Sequence, residues 1–182
     1  MPTPDLSAIA RWPNVPACYG WLSLDRRGRW RLKGEPVTHA GLIAFINRQY
    51  GTDGRGNWFL QNGPQRVFAD LDYTPWVFHL DESGALIAHT GESAGDANGA
   101  WIDEEGSVLL EAKLGIGVLD DRDLGRFVAE CRCADGSAAD EEDLLEARGG
   151  GPPVSWRKAR VAGIERGQVA GRFGFVTRPV SP

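Results

Sequence analysis

The chain has 182 residues, 42% of them apolar and 25% charged, which excludes a disordered, collagen-like or fibrous protein and leaves enough chain for a sizeable core. Its 20 basic and 25 acidic side chains sum to −5, so a globally basic binder of duplex nucleic acid is not expected. No apolar run approaches the roughly 18 residues of a membrane-spanning helix.

Asp5 to Arg11 reads as a short helix closed by Pro13 and Pro16. Trp21 to Leu24 reads as a strand, Asp25-Arg26-Arg27-Gly28 as a type I turn, and Arg29 to Leu32 as the returning strand. Thr38 is placed to cap a helix from His39 to Tyr50, with Leu42, Ile43, Phe45 and Ile46 as its apolar stripe and Gly51 as its stop. Trp58 to Gln61 and Gln65 to Leu71 form a hairpin around Asn62-Gly63. A second hairpin joins Trp76–Leu80 to Ala85–His89 around Asp81-Glu82-Ser83-Gly84.

Residues 91–100 are rich in small and polar types and read as a loop. Asp103-Glu104-Glu105-Gly106 is a third D-x-x-G turn, followed by a strand from Val108 to Ala112. Asp120 is placed to cap a helix running to Cys133, with Leu124, Phe127, Val128 and Cys131 inward. Residues 135–148 are acidic and end in a helical turn at Leu144 and Leu145. After the Gly149–Pro153 loop, Val154–Ile164 and Gly171–Thr177 read as closing strands joined near Glu165-Arg166-Gly167. The order turn, strand, loop, helix occurs from Asp25 and again from Asp103, which suggests a duplicated plan. The expected organisation is an α+β fold of two similar strand-rich halves, 1–80 and 81–182, each with one main helix and mostly antiparallel sheets.

From Asp25 to Phe78 the sequence resembles a proteobacterial family known only as domain of unknown function, number twelve eighty-five. The resemblance rests on four short motifs. These are Asp25-x-x-Gly28-x-Trp30, Gly34-Glu35-Pro36-Val37, the aromatic strand Trp58-Phe59-Leu60, and Thr74-Pro75-Trp76-Val77. It spans about the first 90 residues. It implies two similar α+β halves, the second faintly like a pleckstrin-homology domain. It also implies a groove between them for a nucleotide-like ligand and a role in signalling. No catalytic residue comes with it.

Arginines beside aromatics carry the binding reading. Arg29 and Arg31 flank Trp30; Arg66 lies across the hairpin from Trp58 and Gln61; Trp156 precedes Arg157 and Arg160. Aromatic faces stack on bases and guanidinium forks hold phosphates, so these eight side chains (Trp30 apart) are the expected contacts of a small anionic ligand. The competing reading puts the tryptophans in the core and the arginines in solvent. No cofactor is expected. No nucleophile elbow or phosphate loop occurs. Asp70, Asp72 and His79 could serve a metal-assisted hydrolase or transferase, although His79 and His89, with Asp81 or Glu92, lack ligand spacing and no metal site is expected.

Charge is uneven. Residues 1–95 are neutral, 96–146 carry four basic and fifteen acidic side chains, and 147–182 carry seven basic and one acidic. The acidic 135–146 segment is therefore a second candidate, as a contact for a protein partner. Three cysteines are too few and too oddly numbered for a disulfide framework. Cys131 and Cys133, on one helix, point apart and do not make a redox pair. With no leader-like N-terminus, a cytoplasmic protein is expected. Exposed strand edges leave a homo-oligomer open.

Overall fold

In the computed structural model the described residues are 12–182, so the expected Asp5–Arg11 helix lies outside them. The chain divides into two compact units. One ends at Pro75 and takes in Gly174–Pro182; the other is Trp76–Phe173. The strand Trp76–Leu80 pairs within the second unit, which sets the boundary before Trp76 rather than after Leu80.

In the first unit, β1 (Ala17–Leu24), β2 (Trp30–Leu32) and β3 (Glu35–Pro36) form a meander. Helix α1 (Ala40–Gln49) then leads to β4 (Tyr50–Thr52), β5 (Trp58–Asn62) and β6 (Gln65–Leu71), a second meander. The six strands lie in the order β3-β2-β1-β6-β5-β4. Only β1 and β6 run parallel. The core is Leu22, Leu24, Leu60, Val67 and Ala69 with Leu42, Phe45 and Ile46 of α1, all buried. Leu42 and Ile46, one helical turn apart, share the apolar stripe. The indole Nε1–H of Trp30 donates to Asn47 Oδ1 at 2.7 Å and ties β2 to α1.

His39, not Thr38, caps α1. Its Nδ1 accepts the Leu42 N–H at 3.1 Å from an extended backbone. The helix stops because Tyr50 turns extended and opens β4, so Gly51 is a strand residue rather than the stop.

The second unit repeats the plan. Its elements are β7 (Trp76–Leu80), β8 (Leu86–Ala88), β9 (Gly99–Ile102), β10 (Val108–Ala112), β11 (Gly115–Leu119), a 3₁₀ turn at Asp121–Asp123, α2 (Leu124–Glu130), β12 (Cys131–Cys133), α3 (Glu141–Arg148), β13 (Val154–Trp156), β14 (Ala159–Gly163) and α4 (Arg166–Phe173). Its sheet runs β12-β13-β14-β9-β10-β11-β7-β8. Without the hairpin of β7 (Trp76–Leu80) and β8 (Leu86–Ala88), that order is the first sheet read backwards. The central β14–β9 pair is parallel, as β6–β1 is. The two halves are therefore similar in strand order, pairing sense and helix position.

Four segments of the second unit depart from expectation. Helix α2 ends at Glu130, and Cys131–Cys133 is a strand paired with β13. Residues 166–173 form α4 rather than a hairpin and strand. Strand β11 falls between Ala112 and Asp120, where no element was expected. Gly117 is required there: a Cβ would drive into the Phe78 ring, which lies over the adjacent parallel strand. Gly99 and Ala100, expected in a loop, begin β9.

One turn headed by aspartate recurs four times among the described residues. In Asp25–Arg29, Asp53–Asn57, Asp81–Ala85 and Asp103–Ser107, the first residue's N–H donates to the last residue's carbonyl at 3.0–3.1 Å. A glycine at the fourth position takes a left-handed φ, from +77° at Gly28 to +89° at Gly56.

Candidate functional site

The two-residue loop Gly63-Pro64 sets Gln61 opposite Arg66 and Phe59 opposite Phe68. Side chains alternate across a strand. With Val67, Ala69 and Leu71 turned into the core, Arg66, Phe68 and Asp70 stand on the other face with Phe59 and Gln61. Strand β1 joins this face through a bulge. Its register jumps from Cys18 opposite Val67 to Leu22 opposite Ala69. The strand carries two extra residues there; Gly20, at φ +73°, takes the left-handed turn among them, and Tyr19 meets Phe68.

The result is a row of rings and cations on one sheet face. The Arg66 guanidinium lies 4.6 Å from the Phe59 centroid. Phe59 meets Phe68 at 5.6 Å and 57°, and Phe68 stacks on Tyr19 at 4.6 Å and 1°. Beside the row, Lys33 Nζ stands 4.0 Å over the Trp21 ring, and the Lys33 backbone N–H donates to the Trp21 carbonyl at 2.8 Å. Phe59 and Phe68 are covered; Tyr19 and Trp21 are half-exposed, and Arg66 and Lys33 are exposed. Among the described residues neither Arg66 nor Lys33 makes an ion pair.

The expected contacts divide sharply. Arg66 and Gln61 lie on this face as a cross-strand pair, with Gln61 Nε2 donating to the Gly63 and Gln65 carbonyls. Arg29 and Arg31 are engaged by Asp25, whose Oδ2 is 2.8 Å from Arg29 Nε and 3.4 Å from Arg31. Burial pushes the Asp25 carboxyl up, but the N–H groups of Arg29 and Arg27 and the Arg29 guanidinium outweigh it and hold the group below its ordinary range. Arg31 is opposite Ser23, which is opposite Asp70, four residues along β6 from Arg66. That is about 13 Å of strand, so Arg31 and Arg66 do not converge. Trp58 is on the core side, 5.0 Å from Tyr50.

In the second unit Trp156 is 1% exposed and packs 5.4 Å from Phe127, so its face is spent on the core. Arg157 lies over Trp156 and donates to Glu130 at 2.9 Å and to the Gly84 carbonyl at 2.8 Å. Arg160 is exposed on β14, opposite Ser155. The rings of the row and beside it, Tyr19, Trp21, Phe59 and Phe68, were not among the expected contacts. Hairpin register alone would have put Phe59 and Phe68 beside Arg66.

The residues of the catalytic alternative fall in two units, Asp70 and Asp72 in the first and His79 in the second. Burial raises the Asp70 carboxyl, which Arg178 opposes and Asp72 reinforces. His79 is an exposed residue of β7 in the other unit. His89 Nδ1 accepts the Val77 N–H at 3.2 Å and so has no lone pair for a metal. Among the described residues no cluster of three metal-binding side chains forms. Of the acidic segment, Asp140 and Asp143 cap α3 reciprocally, at 2.9 Å each way. Among the described residues no helix is long and apolar enough to cross a membrane.

A family model described as "Protein of unknown function (DUF2946)" matches residues 4–180. Among solved structures, the chain is similar to a DUF1285 family protein from Silicibacter pomeroyi DSS-3, with a TM-score of 0.53 and 16% identity, over 78% of this chain and 98% of that one. A DUF1285 family protein from Shewanella baltica OS155 matches at 15% identity and a TM-score of 0.44, over 59% of this chain and 89% of that one. The first of these likenesses bears on fold, and agrees with the resemblance read between Asp25 and Phe78. No curated protein matches the chain.

Proposed function

The chain belongs to that family of unknown function described as DUF2946, and from its own geometry we propose that it is a non-catalytic binding module for a small anionic, nucleotide-like ligand, held on the outer face of the first sheet. The supporting observation is the row Arg66–Phe59–Phe68–Tyr19, with Lys33 over Trp21 beside it. A flat ring stacks on Tyr19 or Trp21, worth roughly 1–3 kcal/mol per base. Arg66 and Lys33 supply charge that no carboxylate of the described residues satisfies. Phe59 and Phe68 hold Tyr19 and Arg66 in place, which limits the ordering cost of binding.

Titration calorimetry with AMP, ATP, a cyclic dinucleotide and inorganic phosphate tests this. A nucleotide is expected to bind saturably, more weakly in high salt. Tyr19→Ala and Arg66→Ala should each weaken it about tenfold or more, and Trp21 fluorescence should respond. Absence of saturable binding into the millimolar range, or binding indifferent to both substitutions, would overturn the reading.

A further inference from the structure

The second unit has an apolar groove of its own. Helices α2 and α3 stand apart over the β9–β10 hairpin and leave a cavity of about 260 Å³ lined by Ile102, Val108, Leu124, Phe127, Leu144 and Leu145. Phe127 and Leu144 form its buried floor. Leu145, 68% exposed, stands at its lip, where a helical leucine with no partner is unusual for its size.

The lip is acidic. Glu141 lines the groove and sits one helical turn before Leu145, so the carboxylate and the leucine form one stripe. Glu142 is its exposed neighbour. Among the described residues neither Glu141 nor Glu142 has an ion-pair or hydrogen-bond partner, unlike Asp140 and Asp143, which are used in the cap. The α3 cap therefore accounts for Asp140 and Asp143 and leaves Glu141, which lines the groove, and Glu142 unused.

An apolar slot beside unpaired carboxylates is complementary to a chain with an apolar anchor and neighbouring lysine or arginine. The slot removes the anchor from water, and the carboxylates select the sign of its flanks. We infer that the α2–α3 groove is a docking site for a basic amphipathic segment of a protein partner. This surface is distinct from the sheet face of the first unit, and each can fail without the other.

The test uses the full chain and two labelled synthetic peptides of the same amphipathic pattern, one of leucine and lysine, the other of leucine and glutamate. Fluorescence anisotropy is expected to show saturable binding of the lysine peptide only, weakened by salt. Leu145→Ser should weaken it about tenfold, and Glu141→Gln with Glu142→Gln should weaken it and flatten the salt dependence. All three positions are exposed, so the variants keep their fold, which circular dichroism checks. Equal binding of the glutamate peptide, binding unchanged by Leu145→Ser, or no binding of either peptide overturns the proposal. So does a concentration-dependent dimer that Leu145→Ser dissolves, since the groove would then serve a second copy.

Discussion

Asp25 and Asp103 hold the same place in the two halves. Each Oδ1 accepts the backbone N–H groups two and four residues ahead: Arg27 and Arg29 at 2.9 Å in one half, Glu105 at 3.0 Å and Ser107 at 2.7 Å in the other. Asp25 begins the turn from β1 to β2, and Asp103 the turn between the corresponding strands β9 and β10.

Removing either carboxylate strands two turn amides. Asp103 is 1% exposed, so water cannot replace it. Asp103→Ala should cost about 2–3 kcal/mol, and Asp25→Ala somewhat less, because its turn is more open. Urea unfolding of both variants checks this; a loss below about 0.5 kcal/mol for Asp103→Ala would remove the turn from the account of stability.

His89 sets one acid limit on stability. Burial drives its imidazole from 6.5 down to about 3, and its Nε2 is out of solvent even though the residue as a whole is half-exposed. The neutral ring is the folded form. Its contribution is complete above pH 6.5 and is lost as pH falls from there toward about 3. The melting temperature should drop through that window, and His89→Gln, which keeps an acceptor for Val77, should flatten the drop.

The turn aspartates act lower. The carboxyls of Asp25 and Asp53 are held below their ordinary 3.8, against the upward push of burial, by backbone and side-chain donors. Their stabilisation is present above pH 3.8 and disappears as pH falls through the depressed values. Asp25→Asn should reduce the slope of stability against pH below 4 and leave the His89 window unchanged.

Thiol chemistry should be confined to one position. Cys18 and Cys131 are buried, and burial, with Glu130 behind it, lifts the Cys131 thiol to about 12. Cys133 is half-exposed, yet burial and the Asp143 and Asp135 carboxylates outweigh the Ser137 hydrogen bond and raise its thiol as well. A thiol reagent should modify one cysteine slowly in the native protein and three after denaturation. Cys133→Ser should abolish the native reaction, and fast modification of two native thiols would contradict the packing.

Gly56 is a structural pin. Its φ is +89°, its carbonyl accepts the Val176 N–H at 2.8 Å, and a Cβ there would sit 2.6 Å from the Gly174 carbonyl. Gly56→Ala should destabilise the first unit by roughly 2 kcal/mol or more, from left-handed strain and the clash together. Hydrogen exchange at the Val176 amide should accelerate before that of the β6 amides.

What was legible follows from range. The hairpins at 62–65, 81–84 and 103–106 were readable because an Asp or Asn and a Gly close each within a few residues. Strand β11 was not, because Gly115 and Gly117 make sense only against Trp76 and Phe78, some forty residues away in sequence. The overrun of α2 into Cys131–Cys133 has the same cause: Cys131 continues a helical stripe, and only its pairing with Trp156 makes it a strand. Arg66 lies over Phe59 rather than Trp58, since strand parity turns Trp58 inward and Phe59 outward. The α2–α3 groove was half visible, as an acidic run whose leucines gave no sign that one of them stands exposed.

The return of residues 174–182 to the first unit makes that unit discontinuous and the second one an uninterrupted insertion. Leu71 donates to Thr177, and Gly56 accepts from Val176. During synthesis β6 therefore waits, with an unmet amide at Leu71, while roughly a hundred further residues emerge. The second unit, whose strands all pair within Trp76–Phe173, has no such wait. Vectorial folding thus reverses the order of the sequence: the inserted unit closes first, and the unit that begins the chain is sealed last.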